Sequence, residues 1–218
     1  MPNIGLVVAM RTEVPQVLKK ATGIFRIGDN AVRVEVSGIG PERARGTTSR
    51  LCSGSLGFMP DLLINAGFCG AVCNDLGVGH LVIANRLTYR HRKVQPEKLP
   101  LEIAADLLTG FEYKIGQVQT FRWPVLSRAG VLRDTLAVDM ESFAIAQTAA
   151  IYQIPTIVIK AVSDVVPRRT DLWGLMTQLR RLKAGAKTAR ICLGKAVIKI
   201  LEDPDLFDEM ATGPKAEP

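Results

Sequence analysis

The sequence predicts an α/β fold, a sheet with helices packed on both of its faces. Three observations carry this. Short, nearly continuous apolar runs, Ile4–Ala9, Leu62–Ala66 and Thr156–Val162, have the length and composition of strands buried on both sides. Segments with helical start signals or helical periodicity separate the strand-like runs. Each of the three runs also leads into chemically useful material: Met10-Arg-Thr-Glu13, Gly67-Phe-Cys-Gly70 and Ser163-Asp164. In open α/β sheets, ligands sit beyond the carboxyl ends of the strands.

Taken in order, Ile4–Ala9 is the first strand. Thr12–Lys20 has helical character, with Pro15 near its start. Val32–Val36 alternates apolar and polar residues, as a half-exposed strand does. Pro41–Leu56 reads as a helix, with proline early, where its missing N–H costs little. Leu62–Ala66 is a buried strand that ends in a small-residue turn, Gly67–Gly70. Residues 79–89 form another strand, Leu101–Leu108 a short helix with Glu102 in its first turn, and Gly116–Phe121 a strand. Ala137-Val-Asp-Met-Glu-Ser142 opens a helix that spans Asp139–Tyr152. After Thr156–Val162, a long amphipathic helix covers Asp171–Leu201, with a break expected near Gly185. Residues 1–201 form one domain. The acidic, proline-bearing segment 202–218 is expected to be a flexible tail.

A chain of 218 residues, 47% hydrophobic and 22% charged, can bury a core without covalent staples. No apolar run reaches the roughly 18 residues of a membrane span, so stable membrane insertion is not expected. Met1-Pro-Asn3 leads straight into a strand pattern without a signal-type core, so the expected location is cytoplasmic. Cys52, Cys69, Cys73 and Cys192 lack the second pair or histidine cluster of a zinc site, and only His80 and His91 are present. They read as small buried or turn-lining thiols, and no metal or cofactor is expected. The net charge of +7 gathers in Tyr89–Lys93, Arg168–Arg169 and Arg180–Lys187. No nucleic-acid-binding signature accompanies it, so a solvated surface is the expectation rather than a nucleic-acid partner.

The acids admit two readings each. Asp164 can do chemistry beyond its strand or cap the next element. Glu13 can serve a ligand or sit in a helical first turn, where the dipole favours it. Asp139 and Glu141 are two apart and do not share a helical face. Asp139 suits an N-cap or first-turn position, and Glu141 then points elsewhere.

Six stretches give the chain a family likeness. They are Ile4–Glu13, Val36–Gly40, Ile64–Gly70, Gly77–Ala84, Ala137–Ala146 and Ile159–Asp164. In these residues and their order the chain resembles the nucleoside phosphorylase superfamily, and within it the 5'-methylthioadenosine/S-adenosylhomocysteine nucleosidases. The resemblance implies a single-domain, three-layer α/β/α fold with a central mixed sheet. It also implies a small-molecule nucleoside substrate and a homodimer. It assigns Asp164 as the general acid for the leaving purine, with Ser163 orienting it. Glu13 would position or activate water, and Glu141 would accept the 2'- and 3'-hydroxyls. Met140 would pack on the sugar unless it is plain core, and Ile39 and Gly67 would lie at the substrate.

Two departures bear on the substrate. Phe68 stands where the nucleosidases carry a small hydroxyl residue, and Cys69-Gly-Ala-Val72 matches purine nucleoside phosphorylases. Between residues 86 and 136 the usual base loop is absent, and Thr120-Phe-Arg-Trp-Pro124 takes its place; Phe121 or Trp123 is either a stacking residue or core. This pattern also resembles the hopanoid-associated phosphorylases, which act on an adenosyl lipid, and futalosine hydrolase. An inactive nucleoside-binding protein, its pocket blocked by Phe68, is the alternative from another class. The Gly-Asp-Pro-x-Arg phosphate sequence of bacterial phosphorylases is absent after the first strand, which favours water, although Arg43, Arg45, Arg86 and Arg90 remain candidate anion ligands.

Overall fold

A computed structural model of the chain describes residues 2–19, 23–169, 172–204 and 206–207, with the side chains of 98–99 and 172–183 excepted. Four strands run parallel through the middle of one mixed sheet: β1 (Asn3–Val8), β3 (Asn30–Val36), β4 (Leu62–Ala71) and β9 (Thr156–Val165). β2 (Ile24–Ile27) pairs antiparallel with β3 at the edge. β5 (Leu81–Tyr89) runs antiparallel to β9, and β7 (Tyr113–Thr120) and β8 (Thr135–Asp139) follow β5 in parallel. The hairpin strand β6 (Arg92–Val94) pairs with the end of β5. β8 also pairs antiparallel with the last residues of β4, Gly70 with Val138 and Ala71 with Ala137. The sheet thus curls closed through β4, β9, β5, β7 and β8.

Helices cover both faces, as expected. α1 (Pro41–Cys52) and α3 (Ser142–Ile151) pack on one side, burying Ala44, Leu51, Ala144 and Ile145 against Val7 and Leu63. α2 (Lys98–Leu107) and α4 (Leu172–Leu201) cover the other, where Ile103, Leu108, Leu193 and Val197 meet Ile64, Ile83 and Ile159. α3 has no polar stripe; Phe143, Ala144, Ile145 and Ala146 are all buried, so the helix is enclosed on several sides. Past α4, Leu206 is buried in the core beside Ile200 and Leu201. Residues 208–218, where most of the expected tail falls, lie outside the described residues.

Several expectations change. The described part of Thr12–Lys20, up to Lys19, is not a regular helix: a turn covers 11–13 and one 3-10 turn covers Gln16–Leu18. There Glu13 folds its carboxylate back onto the N–H groups of Ala9 and Met10. Gly67–Gly70 is not a turn but the continuation of β4, paired with β9 from Gly67–Lys160 onward, with one register shift between Cys69 and Gly70. Asp139 ends strand β8, and α3 begins only at Ser142. With two residues between strand and helix, the apolar run has no visible boundary. α4 is unbroken at Gly185, which instead is a point of close approach: a Cβ there would overlap the carbonyl oxygen of Ser163.

Candidate active site

The ends of β1, β4, β8 and β9 converge on a cavity of about 180 Å³. Glu13, Asp139, Glu141 and Asp164 all line it, each buried to 7% exposure or less. Four carboxyl groups gathered this closely demand compensation.

Glu13 is satisfied by backbone. Its Oε2 accepts from Ala9 N at 2.8 Å and Met10 N at 2.7 Å, and its Oε1 from Phe68 N at 2.9 Å. Burial nonetheless pushes its pKa above the ordinary glutamate value, against the opposing pull of Lys160 and the three N–H donors. The side chain ties the turn after β1 to the middle of β4, which fixes the carboxylate at the cavity wall.

Lys160, in the middle of β9, is 1% exposed, and its Nζ lies 3.0 Å from Asp139 Oδ2. Burial alone would lower the pKa of this ammonium. Asp139, Glu141 and Glu13 more than offset that, so it remains a cation. Asp139 is in turn held ionised: burial pushes it up, and Lys160, Ser142 and Thr120 pull it further down. Thr120 Oγ1 donates to its Oδ1 at 2.7 Å, Ser142 N donates to its Oδ2 at 3.0 Å, and the Ser142 hydroxyl bridges it to Asn65. The first-turn capping expected of Asp139 is therefore present in the bond from Ser142 N, although the residue belongs to a strand. Gly67 makes room for the cation, since a Cβ there would sit 3.0 Å from Lys160 Nζ and 3.1 Å from Glu13 Oε1.

Glu141 stands just before α3 and accepts from Gly40 N at 2.8 Å through Oε1. Burial first, and then the charge of Asp139, push its pKa up to about 7. Beside it, Ser163 and Asp164 depend on an irregularity in β9. Cys69 pairs with Val162 and Gly70 with Asp164, so Ser163 is an extra residue opposite no partner. In a regular strand successive side chains point to opposite faces; this bulge lets Ser163 and Asp164 line one cavity. Ser163 Oγ reaches Asp164 Oδ1 at 3.0 Å and Cys69 O at 3.3 Å.

Of the residues singled out from the sequence, Glu13, Ile39, Phe68, Met140, Glu141, Ser163 and Asp164 are brought together around this cavity. Gly67 lies directly behind it, against Glu13 and Lys160. Phe121 is elsewhere. It packs on Val72, Val138 and Val166 and lines a neighbouring cavity of about 640 Å³. Pro124, Val125 and Leu126 stand between the two cavities and line both. Arg43, Arg45, Arg86 and Arg90 do not line the acid-lined cavity; Arg90 lines the neighbouring one. Lys160 was not singled out, although its signal is in the sequence: a lysine inside the run Ile157–Val162 has to be paired if that run is buried. Among the described residues no cluster of three or more His, Cys, Asp or Glu could hold a metal ion. Nor is any described helix long and apolar enough to cross a membrane.

The fold and this site define a class. A family model described as the phosphorylase superfamily matches residues 3–198, and the chain belongs to that superfamily. A nearer relation lies among its nucleosidases. The 5'-methylthioadenosine/S-adenosylhomocysteine nucleosidase of Staphylococcus haemolyticus is 31% identical over 206 residues, covering 78% of this chain and 89% of the relative. That of Pseudoalteromonas translucida is 28% identical over 240 residues, covering 92% and 97%. In fold, the chain is similar to the Neisseria meningitidis nucleosidase of the same name, solved with methylthio-immucillin-A, at a TM-score of 0.79 and 22% identity, covering 93% and 99% of the two chains. It is similar also to a futalosine hydrolase mutant of Helicobacter pylori, at a TM-score of 0.77 and 16% identity, covering 96% and 100%.

Proposed function

We propose that the protein is a purine nucleosidase, hydrolysing the N-glycosidic bond of an adenosine-type nucleoside to free base and a ribosyl product. The observation that carries this is the convergence of Glu13, Glu141 and Asp164 on one small cavity. The base lies against Asp164, which protonates N7 so that the purine leaves neutral. The bond from C1' to N9 breaks as a water oxygen bonds to C1', and Glu13 takes the water's proton. A raised pKa makes Glu13 the stronger base. Glu141 accepts the 2'- and 3'-hydroxyls, and Met140 packs on the sugar. Ser163 orients Asp164 through its 3.0 Å bond. The ribosyl centre becomes cationic in the transition state, and the surrounding carboxylates favour that charge.

Water is favoured over phosphate as nucleophile. A phosphate dianion beside Glu13 would meet like charge at low effective dielectric, and none of the four candidate arginines lines the cavity. The proposal includes a homodimer, a cytoplasmic location and a role in methionine salvage. A second copy would cover an apolar rim: Ile39 is 50% exposed at the cavity and Trp123 71% exposed near it. The test is adenine release from 5'-methylthioadenosine in phosphate-free buffer, with analysis of the sugar. Free sugar and a severe loss in Glu13→Gln are expected. Dependence on phosphate, with a sugar phosphate as product and a mild Glu13→Gln, would instead establish a phosphorylase.

A further inference from the structure

The cavity of about 640 Å³ between the β5–β6 hairpin and the segment after β7 plays no part in the chemistry above. Its volume falls within the roughly 300–1,000 Å³ of small-molecule sites. Among its described lining it holds the side chains of Arg90, His91 and Arg122, the rings of Tyr89, Phe121 and Trp123, and no acid. The two arginines are pre-arranged. Arg90 Cζ lies 5.5 Å from the centre of the Tyr89 ring, and Arg122 Cζ 5.6 Å from that of Trp123. A guanidinium stacked on a ring keeps its N–H edges for an oxyanion. Neither arginine belongs to an ion pair among the described residues. Arg90 and His91 form the two-residue turn between the paired residues Tyr89 and Arg92. Arg90 has a φ of 55°, in the left-handed region where such a turn favours glycine. The turn thus accepts backbone strain and presents a long cation at the cavity.

We propose that this cavity is a second binding site, outside the catalytic one, for a nucleotide. Arg90, His91 and Arg122 take its phosphate, and its base lies against Phe121 and the exposed ring of Trp123. Charge sorts the ligands. A phosphate dianion in the acid-lined cavity would face Glu13 and Glu141 at low effective dielectric. A nucleoside phosphate is therefore turned away there and accepted here, and a neutral nucleoside has no use for the cations. The two sites touch through Pro124, Val125 and Leu126, which line both cavities, so a bound nucleotide rests on the outer side of the catalytic wall.

Calorimetry on the full chain tests this, with adenosine 5'-monophosphate as the probe. One molecule is expected to bind per chain, at least about 10-fold more tightly than either adenosine or inorganic phosphate, because base and phosphate are both read. Arg90→Ala/Arg122→Ala should weaken binding by about 10-fold for each arginine. Turnover of 5'-methylthioadenosine should stay within about 2-fold, since neither arginine lines the acid-lined cavity. Arg90→Gly separates binding from folding: it relieves the turn, so it should melt at or above the wild-type temperature and still bind the nucleotide about 10-fold more weakly. Asp164→Asn protein saturated with 5'-methylthioadenosine should bind the nucleotide with unchanged stoichiometry. Competition between the two ligands, undiminished binding in the arginine variants, or inorganic phosphate binding as tightly as the nucleotide overturns the proposal. So does a short oligoribonucleotide that binds more tightly than the mononucleotide and loses that advantage in the double variant, which would make this a nucleic-acid surface. If no nucleoside is hydrolysed but the arginine-dependent binding persists, the nucleosidase reading fails and this site stands.

Discussion

Lys160 Nζ lies 3.0 Å from Asp139 Oδ2, with both side chains at most 2% exposed, directly behind the carboxylates that line the cavity. One cation therefore serves Asp139, Glu141 and Glu13 at once. A buried pair of this kind adds little net stability, but removing one partner leaves an uncompensated charge. Asp139 holds the start of α3 through Ser142 N, and Glu141 immediately precedes that helix. The pair thus links the charge balance of the site to its geometry.

Replacing Lys160 with Met keeps the volume and removes the charge. Lys160→Met should cost about 3–5 kcal/mol in urea unfolding, because Asp139 is left buried and unpaired. Adding Asp139→Asn should recover a good part of that loss without restoring base release. A double variant no more stable than Lys160→Met would show that the pair is not the source of the cost.

Asp164→Asn should leave the fold intact and reduce adenine release by about 100- to 10,000-fold, the usual range for a lost general acid. The amide still accepts the bond from Ser163 Oγ, so positioning is retained while the proton is lost. Unchanged far-ultraviolet circular dichroism with near-normal turnover would remove Asp164 from the chemistry.

Glu13 and Asp164 were legible in the sequence because each sits within a few residues of the end of an apolar run whose length and composition speak clearly, whereas the role of Glu141 was legible only through the family resemblance. Asp139 and Lys160 show where legibility fails. Thr135–Asp139 is a short strand that meets a helix across only Met140 and Glu141, so the apolar pattern runs on without a break. Lys160 hides in a run that reads as core, and only its burial reveals that it must be paired. The extra residue at Ser163 is a matter of register between β4 and β9, which no local pattern encodes. Phe121 illustrates the reverse: an aromatic in the right stretch of chain packs on Val72, Val138 and Val166 instead of the acid-lined cavity.

Glu141 should give the enzyme a pH dependence with a definite sign. Its pKa is about 7 when folded, against 4.5 as a free side chain. The ionised form is the one that accepts two sugar hydroxyls, so kcat/KM should fall about tenfold per unit as pH drops below 7. Stability runs the other way. The folded chain holds this proton more tightly than the unfolded one, so the group favours folding most at low pH. That contribution is lost as pH rises from 4.5 to about 7, a difference of roughly 3 kcal/mol. Glu141→Gln should abolish the acid limb and become more stable relative to wild type at pH 8 than at pH 5. A limb near 7 that persists in Glu141→Gln would assign it to another group.

Gly185 sets α4 against the catalytic end of β9, and alanine there should do harm despite its better helix propensity. Both Gly185 and Gly194 lie inside α4, and replacing an interior helical glycine with alanine gains about 1 kcal/mol where space allows. At Gly194 space allows it: the nearest atom to an added Cβ is Pro15 Cα at 3.8 Å. At Gly185 the Cβ would overlap the Ser163 carbonyl oxygen, with Val78 Cγ1 at 3.2 Å. The obstacle is backbone and cannot rotate away, so helix or strand end must move. Overpacking of this kind costs about 1–3 kcal/mol or more, which exceeds the propensity gain. The displaced segment carries Ser163 and Asp164, so the loss should appear in kcat as well as in melting temperature. Gly194→Ala should match or exceed wild-type stability and keep full activity. Equal melting temperatures and equal turnover for the two variants would show that α4 does not hold the strand end in place.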